Sequence, residues 1–154
     1  MSRFAEKTSV SSEKSRAEIE STLARYGATG FMYGTTATKA VVAFECHGRR
    51  VKFELTLPDP GSDEFVFTPA RRTKRSPEDQ YKAWEQAVRQ RWRALALVIK
   101  AKLEAVETGI TEFEEEFLAH IVLPGGQTVG QWMLPQVAAA YETGDMPPLL
   151  PHLS

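Results

Sequence analysis

Apolar residues near the start of the chain recur at the spacing of an amphipathic helix. Ile19, Leu23 and Tyr26 follow an i, i+4, i+7 rhythm, which places them on one helical face. Gly27 then predicts the end of the helix, because glycine adopts the left-handed conformation common at helix C-termini without strain. The start has two alternatives, a capping box of Ser15 with Glu18 or an earlier start at Ser11 or Ser12.

Three runs of apolar or alternating residues follow, and they predict β-strands. The runs cover residues 29–35, 39–46 and 50–57. His47-Gly48 predicts a tight hairpin turn between the second and third strands. A helix on one face of a three-stranded antiparallel meander is the natural assembly. The predicted inward positions are Ala40, Val42, Phe44 and Cys46 in the second strand and Val51, Phe53, Leu55 and Leu57 in the third.

Residues 58–76 lack a strong helix or strand pattern, so we expect a flexible basic loop in this segment. Ser76-Pro77 predicts the start of a long helix, with a serine cap and a proline in the first turn. This helix is predicted to run to about Glu107 and to stop at Gly109, a length of roughly 45 Å.

Two further helices are predicted in the C-terminal third. The first ends near Ile121, and the second is expected to kink or restart at Pro135 and to end near Gly144. An extended tail over residues 146–151 is expected to dock its leucines on the body. The elements predict a single α+β domain over residues 1–154. The capping boxes are Thr111 with Glu114 and Thr128 with Gln131.

The long helix separates into three faces when its residues are placed about 100° apart. The bulky face is predicted to be core, the small face suits the close approach of another backbone, and the third face is basic. The bulky residues are Trp84, Val88, Trp92, Leu95, Ile99, Leu103 and Val106; the small ones are Ala83, Ala87, Ala94, Val98, Ala101 and Ala105; the basic ones are Lys82, Arg89, Arg93 and Lys100.

Charge is distributed unevenly along the chain, although the formal net charge is only −1. Residues 71–102 contain ten bases and three acids, whereas residues 103–154 contain eight acids and no Lys or Arg. Arginine matches phosphate through its two-pronged donor geometry. The basic segment therefore suits a polyanionic partner or a self-complementary assembly.

Aromatic residues beside the basic segment favour single-stranded nucleic acid as that partner. In such complexes basic side chains follow the phosphates while rings stack on unpaired bases. The sequence therefore predicts a nucleic-acid-binding protein that prefers single-stranded DNA to duplex. A solvated basic face and aromatic rings that simply pack are the structural alternatives. The expected phosphate contacts are Arg71, Arg72, Lys74, Arg75, Arg89, Arg93 and Lys100, with Phe65 or Phe67 stacking on a base.

No group of residues has the arrangement of a catalytic site. Cys46 and His47 are adjacent in a strand pattern and point to opposite faces, which indicates a core cysteine beside a turn histidine. The acids Glu112 and 114–116 are interpreted as a solvated face or as a mate for the basic helix, and residues 124–127 as a turn. We therefore expect no enzyme activity, no metal and no cofactor.

Composition adds an expectation about the compartment. One cysteine excludes an internal disulfide, and no apolar run approaches the ~18 residues that span a bilayer. The first residues have no apolar stretch after their charges, so a secretory signal is not expected. A cytoplasmic protein is predicted.

Three stretches of the chain are similar to known sequences. They are Ser15-Arg16-Ala17-Glu18-Ile19 through Leu23-Ala24-Arg25-Tyr26-Gly27-Ala28-Thr29, Arg89-Gln90-Arg91-Trp92-Arg93-Ala94-Leu95 through Lys100-Ala101-Lys102-Leu103-Glu104-Ala105-Val106-Glu107, and Phe113-Glu114-Glu115-Glu116-Phe117-Leu118-Ala119-His120 through Thr128-Val129-Gly130-Gln131-Trp132. They resemble a family of small uncharacterised proteins encoded by bacteriophages, prophages and mobile elements, over most of the chain. The resemblance implies a phage or bacterial cytoplasmic setting and carries over no functional residue. By architecture alone, a strand meander followed by a basic helix also resembles the β-β-β-α core of phage single-strand annealing proteins, which implies a role in recombination or replication.

A different function is compatible with the same charge pattern. In this alternative, the acidic C-terminal third of one subunit pairs with the basic helix of the next, which predicts a salt-sensitive homo-oligomer. A protein that grips and inhibits a host factor belongs to the same class. This alternative is a non-enzymatic interaction or assembly protein.

Overall fold

The computed structural model describes residues 12–70 and 72–146, and it has the α+β architecture that the sequence predicts. A helix leads into a three-stranded antiparallel sheet, followed by a long helix and shorter helices. No helix in the described ranges is both long and apolar enough to cross a membrane. The elements are α1 (Ser12–Arg25), β1 (Thr29–Thr35), β2 (Lys39–Cys46), β3 (Arg49–Thr56), α2 (Asp63–Val66), α3 (Pro77–Glu107), α4 (Phe113–Glu116), a 3₁₀ helix (Leu118–His120) and α5 (Val129–Thr143).

Helix α1 is already helical at Ser12, so the predicted cap at Ser15 is wrong and the earlier start is correct. Ser15 is fully buried inside the helix, and Glu18 accepts a hydrogen bond from Arg93 instead of closing a capping box. The predicted stop at Gly27 is confirmed. Gly27 has a left-handed backbone with φ of 89°, which lets the chain turn away from the helix axis.

The sheet has the order β1-β2-β3 with antiparallel pairing throughout. His47 and Gly48 form the predicted hairpin turn, with φ of 53° and 74°, as a two-residue turn of this type requires. Cys46 pairs with Arg49 across that turn. Strand β3 therefore begins one residue earlier than predicted and ends before Leu57.

The core lies between one face of the sheet and the helices α1 and α3. Trp92 of α3 is 1% exposed, as predicted, and meets Tyr33 of β1 edge-on. Trp84 is only half-buried, and its indole N–H donates to the carbonyl oxygen of Pro58 at 2.7 Å. The predicted inward face of β2 and the first two inward positions of β3 are buried, whereas Leu55 and Leu57 are partly buried at the core margin.

The segment after α3 differs most from the prediction. The helix expected to run to Ile121 stops at Glu116, and its cap position is Glu112 without a side-chain cap, so the predicted box at Thr111 is wrong. The chain leaves the helical geometry where Ile121 forms an isolated β-bridge with Val51 of β3. This pairing brings residues 121–122 to the edge of the sheet.

Segment 58–76 has more structure than the predicted loop. It contains α2 and a β-bridge between Phe67 and Lys74. Gln80 of α3 donates to the carbonyl oxygen of Pro60, which ties the segment to the long helix. The flexibility expected here stays a prediction, and the expected docking of the tail leucines concerns residues outside the described ranges.

Candidate interaction surfaces

Some of the basic residues predicted to bind phosphate in segment 58–76 make contacts within the fold, and others are exposed to solvent. Arg75 donates from Nη1 to the carbonyl oxygens of Glu64 (2.9 Å) and Phe65 (3.1 Å). Arg72 is 68% exposed, with Nη2 3.8 Å from a carboxylate oxygen of Asp63. Lys74 is exposed, and Arg71 lies outside the described residues. Arg75 therefore holds the segment together, whereas Arg72 and Lys74 face solvent.

The two aromatic candidates differ in exposure. Phe65 is 3% exposed and packs in the interior, so it cannot stack on a base in this conformation. Phe67 is half-buried, and the guanidinium carbon of Arg72 lies 5.4 Å from the centre of its ring. Such a cation–π contact already occupies one face of the ring. The structure thus leaves only part of one nominated ring accessible.

The nominated arginines on α3 are paired with acids from the same chain. Arg93 donates from Nη1 to both carboxylate oxygens of Glu18 of α1, at 2.9 and 3.0 Å. Arg89 lies 3.2 Å from Glu85, one turn earlier on α3. Lys100 is exposed and has no ion pair within the described ranges. Lys74 precedes the first residue of α3 and Lys100 lies near its C-terminal end, so most of the helix separates these two unpaired ammonium groups.

Other bases of the segment are also engaged. Lys102 donates to a carboxylate oxygen of Glu116 at 3.0 Å, and this hydrogen bond is the main cause that lowers the pKa of Glu116. Arg91 donates to the carbonyl oxygen of Thr56 at 2.9 Å. Lys82 pairs with Glu78 on the same helix at 3.1 Å. Acids from outside residues 71–102 pair with three of its bases, Arg72, Arg93 and Lys102, so contacts inside the fold offset part of the positive charge of this segment.

The cysteine is buried in the core, and two of the histidines stack on phenylalanine rings. Burial raises the pKa of the Cys46 thiol, the opposite of what a nucleophile needs. His47 stacks on Phe113 with 4.7 Å between ring centres, and His120 stacks on Phe53 at 4.0 Å. Within the described ranges no three His, Cys, Asp or Glu side chains gather as a metal site.

An open cleft of about 650 Å³ lies between the β2–β3 hairpin and residues 121–126. Arg49 and Arg50 line it, but each already binds a carboxylate: Arg49 that of Glu114 at 2.9 Å and Arg50 that of Glu45 at 3.0 Å. The cleft therefore offers no uncompensated charge and no buried polar group to a ligand.

Helix α5 is largely uncovered by the described part of the chain. None of its 15 residues is buried, although the helix is predominantly apolar and has a single charged residue, Glu142. Leu134, Val137 and Tyr141 follow an i, i+3, i+7 spacing and are 66%, 42% and 88% exposed. These three residues are called the α5 stripe below. A helix with this composition is normally covered by other protein.

The first turn of α5 is firmly attached to the fold. Thr128 and Gln131 form the predicted capping box, with bonds of 3.1 and 2.8 Å. Gly130 sits so close to the 3₁₀ helix that a Cβ there would lie 2.9 Å from the carbonyl oxygen of Ala119. The helix continues through Pro135 without the predicted restart and ends at Gly144, whose φ is 78°. Helix α5 is thus held at its base and open along its length.

A second apolar surface lies on the C-terminal half of α3. Leu97 and Val98 are 47% and 44% exposed, and Ala94 and Ala101 beside them are exposed too. These four residues, called the α3 stripe, overlap the small-residue face identified in the sequence. Within the described ranges α3 packs on α1, α2 and α4, and α5 packs chiefly on the 3₁₀ helix. The two stripes therefore do not cover each other within one chain.

The sequence patterns missed α5 as a surface because amphipathic spacing does not reveal whether a helix has a neighbour. The available signal was composition, since one charge in 15 residues is unusual for a helix facing water. Fold and surfaces together define a small α+β protein with an open apolar helix. No protein-family model, curated protein or solved structure matches the chain.

Proposed function

We propose that the protein is a non-enzymatic interaction or assembly protein that docks on a protein partner through α5. The observation that carries this proposal is an apolar 15-residue helix in which no residue is buried. Contiguous exposed apolar surface commonly marks a protein interaction site. Helices that dock in grooves use anchors at i, i+3 and i+7, which is the spacing of the α5 stripe.

Electrostatics favours the same conclusion. Ion pairs inside the chain engage Arg89 and Arg93, so a polyanion would have to displace Glu85 and Glu18 to reach them. The apolar surface of α5 has no comparable partner among the described residues. Docking of α5 therefore uses a surface that the fold itself does not use.

Site-specific photo-cross-linking in the native cell tests this proposal. A photoreactive phenylalanine at Tyr141 is expected to yield discrete cross-linked protein adducts, because this side chain stands 88% exposed on the stripe. The matched control is the same group at Tyr81, which is 56% exposed on α3 away from both stripes. Adducts at Tyr141 that do not exceed those at Tyr81 would overturn the proposal.

Nucleic-acid binding is the second candidate. The observation that favours it is that Lys74 and Lys100 are exposed without an ion pair in the described ranges, and that Arg72 is 68% exposed. Single-stranded DNA in phage recombination or replication is the ligand and setting of this candidate. The bacteriophage setting rests on the sequence resemblance, and the cytoplasmic location rests on that resemblance and on composition.

A titration of labelled single-stranded DNA at about 50 and 200 mM salt tests the second candidate. Replacing Lys74 and Lys100 by glutamine is expected to reduce the slope of log affinity against log salt by about two, one for each lost phosphate contact. Lys39→Gln is the control, because Lys39 lies on the sheet and pairs with Glu54. Absence of binding at the lower salt concentration would reject this candidate.

A further inference from the structure

We propose that the partner of α5 is a second copy of this chain, and that the α5 stripe of one copy packs on the α3 stripe of the next. This inference rests on the proposed function, since it names the partner of the same helix. Both surfaces are apolar, exposed and present in every copy. Because they do not meet within one chain, they are available to meet between chains.

The two stripes have the same length and complementary side-chain sizes. The α3 stripe spans residues 94–101 and the α5 stripe residues 134–141, so each extends about 10 Å along its helix. Ala94 and Ala101 leave room at the two ends of the α3 stripe. Small residues let a second helix approach closely and let larger side chains fill the groove between ridges. Leu134 and Tyr141 supply such larger side chains.

Charge complementarity selects the α3 stripe over a second α5. Residues 129–146 contain Glu142 and Asp145 and no base. The α3 stripe is flanked by Lys100, whose ammonium has no ion pair in the described ranges, and by Arg91; Glu104 follows one turn later. An α5–α3 contact therefore brings two bases and one acid near the acids of α5, whereas an α5–α5 contact brings only acids together.

The predicted contact joins different surfaces on the two copies. Such an interface repeats head to tail, or it closes into a dimer when each copy docks its α5 stripe on the α3 stripe of the other. The contact area of two short stripes is small, so the association is expected to be weak and dependent on concentration.

Disulfide trapping between two variants tests the proposal. Cys46, the only cysteine of the chain, is replaced by alanine, and Val98→Cys and Val137→Cys are introduced separately. An equal mixture of the two variants is expected to form the mixed disulfide at least tenfold faster than either variant forms its own. Ile110→Cys mixed with Val137→Cys is the control, because Ile110 is 77% exposed and belongs to neither stripe. Thermal unfolding of each variant verifies that it is folded.

The outcomes separate this inference from the proposed function. Faster coupling of Val137→Cys with itself would show an α5–α5 contact, which overturns the inference but retains docking through α5. No preferential disulfide, combined with a Tyr141 adduct to a different protein, would overturn the second copy as partner and again retain the function. Absence of both disulfide and Tyr141 adduct would overturn both.

Discussion

Removing the ring of Phe117 is expected to destabilise the fold strongly, because this residue joins the C-terminal segment to the sheet. Phe117 is fully buried. It meets Phe44 and Phe53 edge-on, at 6.1 and 6.3 Å between ring centres, and stacks on Phe113 at 4.7 Å. The ammonium of Lys102 lies 5.8 Å from its ring. One side chain thus connects β2, β3, α3 and α4.

The magnitude follows from these contacts. A buried Phe→Ala substitution costs about 3–5 kcal/mol, and each well-placed aromatic pair adds roughly 0.5–1.5 kcal/mol beyond burial. Phe117→Ala is therefore expected near the upper end, at about 4–5 kcal/mol. With an m-value of about 2 kcal/mol per molar urea, the unfolding midpoint falls by about 2 M. Leu118→Ala is the control and is expected to cost about 1 kcal/mol, since Leu118 is 52% exposed.

Equilibrium urea unfolding followed by tryptophan fluorescence measures both variants, with the buried Trp92 as a reporter of the core. A loss below about 1 kcal/mol for Phe117→Ala, or a loss equal to that of Leu118→Ala, would refute the reasoning. It would mean that the segment 113–121 is not anchored on the sheet. The base of α5 would then have no fixed position relative to the core.

Three further predictions test the attachment of α5, one ion pair and one histidine. Gly130→Ala is expected to lower the free energy of unfolding by about 1–3 kcal/mol, because its Cβ would lie 2.9 Å from the oxygen of Ala119; a gain, as helix propensity alone predicts, would contradict this. Arg93→Gln, Glu18→Gln and the double variant should give a coupling energy of about 0.5–1 kcal/mol, since the side chains are 28% and 37% exposed, and zero coupling would argue against the pair. Burial lowers the pKa of His120 from 6.5, so its contribution to stability is complete above that pH and is lost as the pH falls below it. His120→Gln should therefore make the melting temperature less dependent on pH between about pH 5 and 7. An unchanged dependence on pH would refute the role given to His120.

The sheet was predictable because its signals are local. Alternation with period two determines which side chains face the core, and a two-residue turn determines the register. The pairing of Cys46 with Arg49 follows from the turn at His47 and Gly48. The single-residue error at the start of β3 arose because Arg49 directly follows the turn, and its place in the strand depends on backbone pairing with Cys46.

The charges were not predictable, because their partners are distant in the sequence. Glu18 and Arg93 are 75 residues apart and meet only because α1 packs along α3. Helical spacing placed Arg93 on a basic face but did not show which element covers it. The same limitation applies to the helix predicted through Ile121, where pairing with Val51 of β3 overrides local helix signals.

The exposed apolar surface weighs more than the ion pairs in the choice between the two candidate functions. Partly exposed ion pairs contribute only about 0–1 kcal/mol each, so phosphate could displace Glu85 from Arg89 at little cost. The α5 stripe is different. Its exposed fractions of 66%, 42% and 88% amount to about two full side chains, and covering them is worth roughly 3–6 kcal/mol before the entropy of association. Phosphate groups gain nothing from covering Leu134 and Val137, whereas an apolar protein surface does, so the exposed stripe supports the proposed protein partner.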